Sequence, residues 1–140
     1  MTIPIVIVDD EFADRYLVER LVKESGLDAK FVGFKAGDEF LAAIADQKER
    51  SEKIGDPPPQ MLVLLDIRMP RMSGFEVLQA IQYSRNAQVA DPPGMTVVMF
   101  SSSKHPGDEA EAFSYDFVKD YVVKPLTKDR FQELVATHYI

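Results

Sequence analysis

The chain has 140 residues, 46% of them apolar and 28% charged, with a net charge of −7, which suits one compact soluble domain and argues against wholesale disorder. Its 16 Lys and Arg face 23 Asp and Glu with no basic run, which disfavours unaided nucleic-acid binding, and the absence of cysteine removes disulfide and thiolate chemistry, as a reducing cytoplasm would favour. The apolar runs are too short to cross a bilayer and the start, MTIPIVIVDD, has no basic flank, so a soluble cytoplasmic protein without membrane contact is expected.

The first predicted strand, Ile3 to Val8, runs directly into Asp9, Asp10 and Glu11. Helical spacing of Tyr16, Leu17, Leu21 and Val22 follows, and Gly26 is a natural stop. A second strand, Lys30 to Phe34, leads to a second helical pattern on Phe40, Leu41 and Ile44. Residues 46 to 60, ending in DPPP, read as an exposed loop because proline cannot continue a helix. The third strand, Met61 to Leu65, ends on Asp66; Phe75, Leu78 and Ile81 then mark a third helix. Residues 84 to 94, containing DPPG, read as a second exposed loop. The fourth strand, Thr96 to Phe100, delivers Ser101, Ser102 and Ser103, and a fourth helix is expected over 110 to 117. The fifth strand, Tyr121 to Val123, is followed by Lys124 and Pro125, and Phe131, Leu134, Val135 and His138 space a closing helix.

This is a strand and helix pair repeated five times. Continuous apolar runs, instead of alternation, suit strands covered on both faces, and consecutive parallel strands need crossover helices. The pattern predicts a single α/β domain with a doubly wound parallel sheet. In such a sheet all carboxyl ends share one edge, where ligands bind. Asp9, Asp10, Asp66, Ser101 and Lys124 each stand at such an end and therefore converge.

Taken singly, these residues have ordinary explanations. Asp66 suits a turn, Asp9 and Asp10 can cap the first helix, the serines are common loop residues, and Lys124 suits solvent. Their joint occurrence at successive strand ends favours chemistry. Three clustered carboxylates raise one another's pKa values unless a cation sits among them, and Mg²⁺ takes few carboxylates together with waters and a phosphate oxygen. One carboxylate can then serve as a nucleophile that forms an acyl phosphate, with Lys124 and a Ser101 hydroxyl on the phosphoryl oxygens. Met69, Met72 and Phe75 read as packing, and His105 and His138 lack a second ligand at metal spacing.

VDDE at 8 to 11, LLDIRMPRMSG at 64 to 74, VVMFSS at 97 to 102 and DYVVKPL at 120 to 126 together resemble the receiver domain of two-component response regulators. The resemblance spans the chain and implies a flavodoxin-like (βα)5 fold with strand order 2-1-3-4-5. It implies Asp66 as phosphoacceptor, Asp10 as direct metal ligand, Asp9 as an acidic neighbour of the metal, and the backbone carbonyl of Arg68 as a further ligand. Mg²⁺ would be the cofactor, with Mn²⁺ able to replace it. Ser101 and Tyr121 match the switch pair, Lys124 the phosphate-contacting lysine, and the Lys124–Pro125 bond the one that is commonly cis in receivers. The partners implied are a histidine kinase or histidine phosphotransfer protein and a downstream protein target, with a homodimer also open to the chain. The run SYDFVKDYVVKPLTKDRF and the long segment before the third strand look more like stand-alone receivers that serve phytochrome-type kinases.

The sequence also departs from the family pattern. Ser101 replaces the more frequent threonine, which keeps the hydroxyl, and Ser73 stands where an acidic residue is frequent. Phe117 occupies a place near the end of the fourth helix where glycine is usual. Arg68 and Ser103 flank the site where the family tunes acyl-phosphate lifetime. The chain ends after the fifth predicted helix, so a receiver without an output domain, signalling through contact or relay, is expected. Two rivals are a small Mg²⁺-dependent phosphohydrolase and a receiver-like module that only binds proteins. The first wants an aspartate two residues after the nucleophile, where Arg68 stands; the second predicts loss of an acidic residue or of the lysine, and all are present.

Overall fold

Five apolar segments form one parallel sheet: β1 (Ile3–Val8), β2 (Ala29–Phe34), β3 (Met61–Leu65), β4 (Met95–Ser101) and β5 (Val118–Val123), in the order β2-β1-β3-β4-β5. The structure, a computed structural model, describes residues 2–55, 60–87, 94–102 and 105–139. Among the described residues six helices connect and flank the strands: α1 (Phe12–Glu24), α2 (Gly37–Ala45), α3 (Gln47–Lys53), α4 (Gly74–Ala87), α5 (Pro106–Phe113) and α6 (Lys128–Tyr139).

Alternate residues of each central strand feed two separate cores. Val6, Val8, Val63, Leu65, Val97 and Met99 pack on one face against Phe40 of α2, Val77 and Leu78 of α4, and Ala112 of α5. Ile5, Ile7, Leu62, Leu64, Val98 and Phe100 pack on the other against Val18 and Val22 of α1 and Phe131, Leu134 and Val135 of α6. All five residues of β3 are buried, as a central strand covered on both faces requires. Gly26, with φ +75, stands just past the end of α1 in the left-handed region that closes a helix.

Two loop expectations are corrected. Residues 47–53 form α3, because Asp46 accepts from the Lys48 and Glu49 amides and so satisfies two of the donors that open a helix. Ile54, immediately after it, is buried against the first core. Residues 84–87 belong to α4, so the second connection is shorter than the sequence suggested. The prolines of DPPP and those of DPPG lie outside the described residues.

The fourth predicted helix is also displaced. It begins at Pro106 and ends at Phe113, four residues before Phe117. Pro106 starts it because its ring presets the helical φ and its missing N–H is not needed there. Phe117 lies in the following turn, buried, with its ring against Tyr115 and under the Arg85 guanidinium at 4.9 Å. On α1, Tyr16 is 48% exposed while Val18 and Val22 carry the buried face, so the apolar stripe is rotated from the one read in the sequence.

Candidate functional site

Asp9, Asp66 and Lys124 each occupy the first position beyond a strand, while Ser101 is the last residue of β4, and the sheet's hydrogen bonding carries the first three there. The Asp9 amide donates to Phe34 O at 3.0 Å, the Asp66 amide to Val8 O at 3.0 Å, and the Lys124 amide to Ser101 O at 2.8 Å. Three side chains from different strands are thus fixed on one edge by backbone geometry, before any side-chain contact forms. The Lys124–Pro125 peptide bond is cis.

Asp9, Asp10 and Asp66 offer ligand oxygens that all lie within 4.8 Å of one another. Asp9 is fully buried and Asp66 nearly so. Lys124 Nζ lies 2.8 Å from Asp9 Oδ2, 2.8 Å from Asp14 Oδ2 and 3.6 Å from Asp66 Oδ1. Its directed hydrogen bond goes to Asp14; Asp9 Oδ2, although close, is buried without an aligned donor. The lysine stem also runs beside Phe100, with the ammonium 5.2 Å from the ring centre.

The electrostatics follow from burial and like charge. Burial, then the neighbouring Asp9 charge, pushes the Asp66 carboxyl up to about 7, against a smaller opposing pull from Lys124. Burial raises Asp9 as well, opposed by Lys124 and by the Glu11 amide, which donates to Asp9 Oδ1 at 2.9 Å. Burial alone would lower Lys124, but the hydrogen bond to Asp14, the close ion pair with Asp9 and the Asp66 charge more than offset it, so the lysine is held above its ordinary value. A site with several carboxylates, one lysine and an orphaned buried oxygen on Asp9 fits a hard divalent cation. Asp9, Asp10 and Asp66 are the side chains that would hold it.

Gly74 protects the shape of the loop that follows Asp66. Its amide donates to Ile67 O at 2.8 Å, and a Cβ at this position would sit 2.3 Å from Asp66 O, a backbone atom that cannot swing aside. Gly74→Ala should therefore destabilise the fold by roughly 1–3 kcal/mol, as overpacking does, and displace Asp66. Denaturant unfolding checks this, and unchanged stability would contradict it.

On the far side of Asp66, the side chains of Ser101 and Tyr121 are in hydrogen-bond contact, and burial raises the Tyr121 phenol. Ser101 is buried and Tyr121 half-buried against the first core. A bulge in β5 opposite Val97 and Val98 leaves Lys119 extra and pairs Tyr121 with Met99. Arg68 extends to the surface and its guanidinium lies 3.9 Å from Asp108 at the start of α5. Ser103 is outside the described residues.

Two expectations are refined and one residue is new. Asp9 does not cap α1; the position before the helix is Glu11, and Asp9 instead accepts from the Glu11 amide. Met69, Met72 and Phe75 pack against the first core, so they are structural. Asp14 escaped the sequence reading. It lies in the first turn of α1, and its partner, Lys124, comes from the far end of the chain.

Comparison with known proteins agrees with this geometry. A family model described as "Response regulator receiver domain" matches residues 5–136. A chemotaxis protein CheY of Listeria monocytogenes is 30% identical over 92% of this chain and 92% of its own. The response regulator Rcp1 of Synechocystis is 31% identical over 91% of this chain and 81% of its own. The solved bacteriophytochrome response regulator AtBRR superposes with a TM-score of 0.71 at 26% identity, over 97% of this chain and 91% of its own.

Proposed function

The chain belongs to the response regulator receiver family, and from that premise we propose that Asp66 accepts a phosphoryl group from a phosphohistidine with Mg²⁺ bound at Asp9 and Asp10. The observation that carries this reading is the placement of a buried Asp66 carboxylate among two further carboxylates and 3.6 Å from the Lys124 ammonium. Asp66 would attack phosphorus, the bond to the donor imidazole nitrogen would break, and the freed imidazole would take up a proton. A bound Mg²⁺, for which Mn²⁺ can substitute, would neutralise charge on the carboxylates and the phosphoryl oxygens, with the Arg68 carbonyl as an added oxygen ligand. Lys124 would contact a phosphoryl oxygen, as would the Ser101 hydroxyl.

Receivers are signalling switches and not classical enzymes. In this chain the buried Ser101 is joined to the half-buried Tyr121, so drawing Ser101 toward a phosphoryl group would alter the surface formed by β5 and α5. That surface would then bind a downstream protein or release it. The kinship to a bacteriophytochrome response regulator supports a phytochrome-type histidine kinase as the phosphodonor.

Intact mass after incubation with Mg²⁺ and phosphoramidate tests the acceptor role. A labile phosphoryl adduct that EDTA abolishes supports it. Steady turnover of phosphate esters would support a hydrolase instead, and no adduct with any donor would sink the reading. The switch is tested separately. Ser101→Ala should still take up the phosphoryl group but lose the change in tyrosine near-ultraviolet dichroism that accompanies it in the parent chain; a retained change would contradict the Ser101–Tyr121 coupling.

A further inference from the structure

We propose that Asp14 is a positioning residue that holds the Lys124 ammonium away from Asp66 until a phosphoryl group arrives, and so sets how readily this receiver accepts phosphate. The inference rests on the reading of Asp66 as acceptor. Lys124 Nζ lies 2.8 Å from both Asp9 Oδ2 and Asp14 Oδ2, but its aligned hydrogen bond is the one to Asp14. Asp66, the group that would react, is the most distant of the three at 3.6 Å.

The cation set explains why Asp14 matters. The oxygens placed to share a metal belong to Asp9, Asp10 and Asp66, and Asp14 is not among them. A divalent ion drawing on Asp9 and Asp66 removes their charge from competition for the lysine. Asp14 is then the carboxylate left to retain it. The next cation on the helix does not take over Asp14: Arg15 Nη1 donates to the Asp9 backbone carbonyl at 2.7 Å, and its guanidinium lies over the Phe12 ring at 5.8 Å.

Two consequences follow for the incoming phosphodonor, which is an anion. The lysine must exchange Asp14 for a phosphoryl oxygen, and the Asp14 charge repels the donor as it approaches. Both effects act on donor capture more than on bond breaking. Asp14→Asn keeps the size of the side chain and an oxygen acceptor while removing the charge. It should lower the KM for a small anionic donor such as acetyl phosphate roughly three- to fivefold, the scale of a partly exposed ion pair, with a smaller change in kcat. Asp14→Glu restores the charge and should return KM toward the parent value.

The experiment measures adduct formation by intact mass against acetyl phosphate concentration, at saturating Mg²⁺, for the parent, Asp14→Asn and Asp14→Glu. Alongside it, the metal-free proteins are labelled with ¹⁵N-lysine and the side-chain ammonium resonances are recorded. The Lys124 ammonium should exchange with solvent faster in Asp14→Asn than in the parent or in Asp14→Glu. A KM that is unchanged or raised in Asp14→Asn, an Asp14→Glu variant that behaves like Asp14→Asn, or an unaltered Lys124 exchange rate overturns the proposal. In those cases a parent chain that still forms the adduct leaves the acceptor role of Asp66 standing. A parent chain that forms no adduct overturns both.

Discussion

In metal-free buffer at neutral pH, Asp66→Asn is expected to be more stable than the parent chain by roughly 2–4 kcal/mol, at about 1.4 kcal/mol per pKa unit. The sign follows from the two states of the carboxyl. Unfolded, it ionises near 3.8; folded, burial and the Asp9 charge push it up to about 7. Well below pH 4 both states are protonated and Asp66 contributes no penalty. As pH rises from about 4 to about 7 the unfolded chain ionises freely while the folded chain does not, so the parent loses stability across that window and carries the full penalty above it. Asp9 shifts in the same direction. Denaturant midpoints of both proteins at pH 4 and pH 8 measure the effect, and Mg²⁺ should shrink the gap by stabilising the parent more. A parent as stable as the variant at pH 8 without metal would mean that the carboxylates are not in conflict.

Lys124→Met should have the opposite effect on the metal-free fold. Methionine keeps much of the stem that passes beside Phe100 but removes the ammonium that faces Asp9, Asp14 and Asp66. Taking one partner from a buried ionic cluster leaves uncompensated charge, a loss on the order of 3 kcal/mol. Mg²⁺ should restore a large part of it, since a divalent ion answers the same carboxylates. Phosphoryl transfer should still fall by at least roughly a hundredfold with metal present, because a preorganised charge at a developing anion has that scale of effect. Denaturation with and without Mg²⁺, together with the rate of adduct formation, checks both parts. A variant that matches the parent in metal-free stability and in rate would remove Lys124 from the site.

The sheet was legible because its strands advertise themselves. Leu62 to Leu65 leave no polar position to face water, and such a run makes sense only between two layers of helices, as the two cores confirm. The residue after each run is then placed by the backbone, which is why Asp9, Asp66 and Lys124 could be brought together from sequence order alone. The connections were harder. Asp46 followed three residues later by Glu49 is a helix-opening pattern, but the proline run at 57 to 59 drew the whole segment into a loop. Asp14 was missed for a different reason. Nothing in its neighbours distinguishes it from an acidic residue in the first turn of a helix, which is favourable there on dipole grounds alone. Only the position of Lys124, reached from the other end of the chain, gives it a partner.

Asp66, and neither Asp9 nor Asp10, is the carboxylate proposed to carry the phosphoryl group. Borohydride reduces an acyl phosphate to an alcohol, turning the modified aspartate into homoserine, so trapping the Mg²⁺-dependent adduct and weighing its peptides locates the acceptor directly. Homoserine is expected at residue 66 in the parent chain and at no position in Asp66→Asn. Homoserine at residue 9 or 10 in the parent would contradict it.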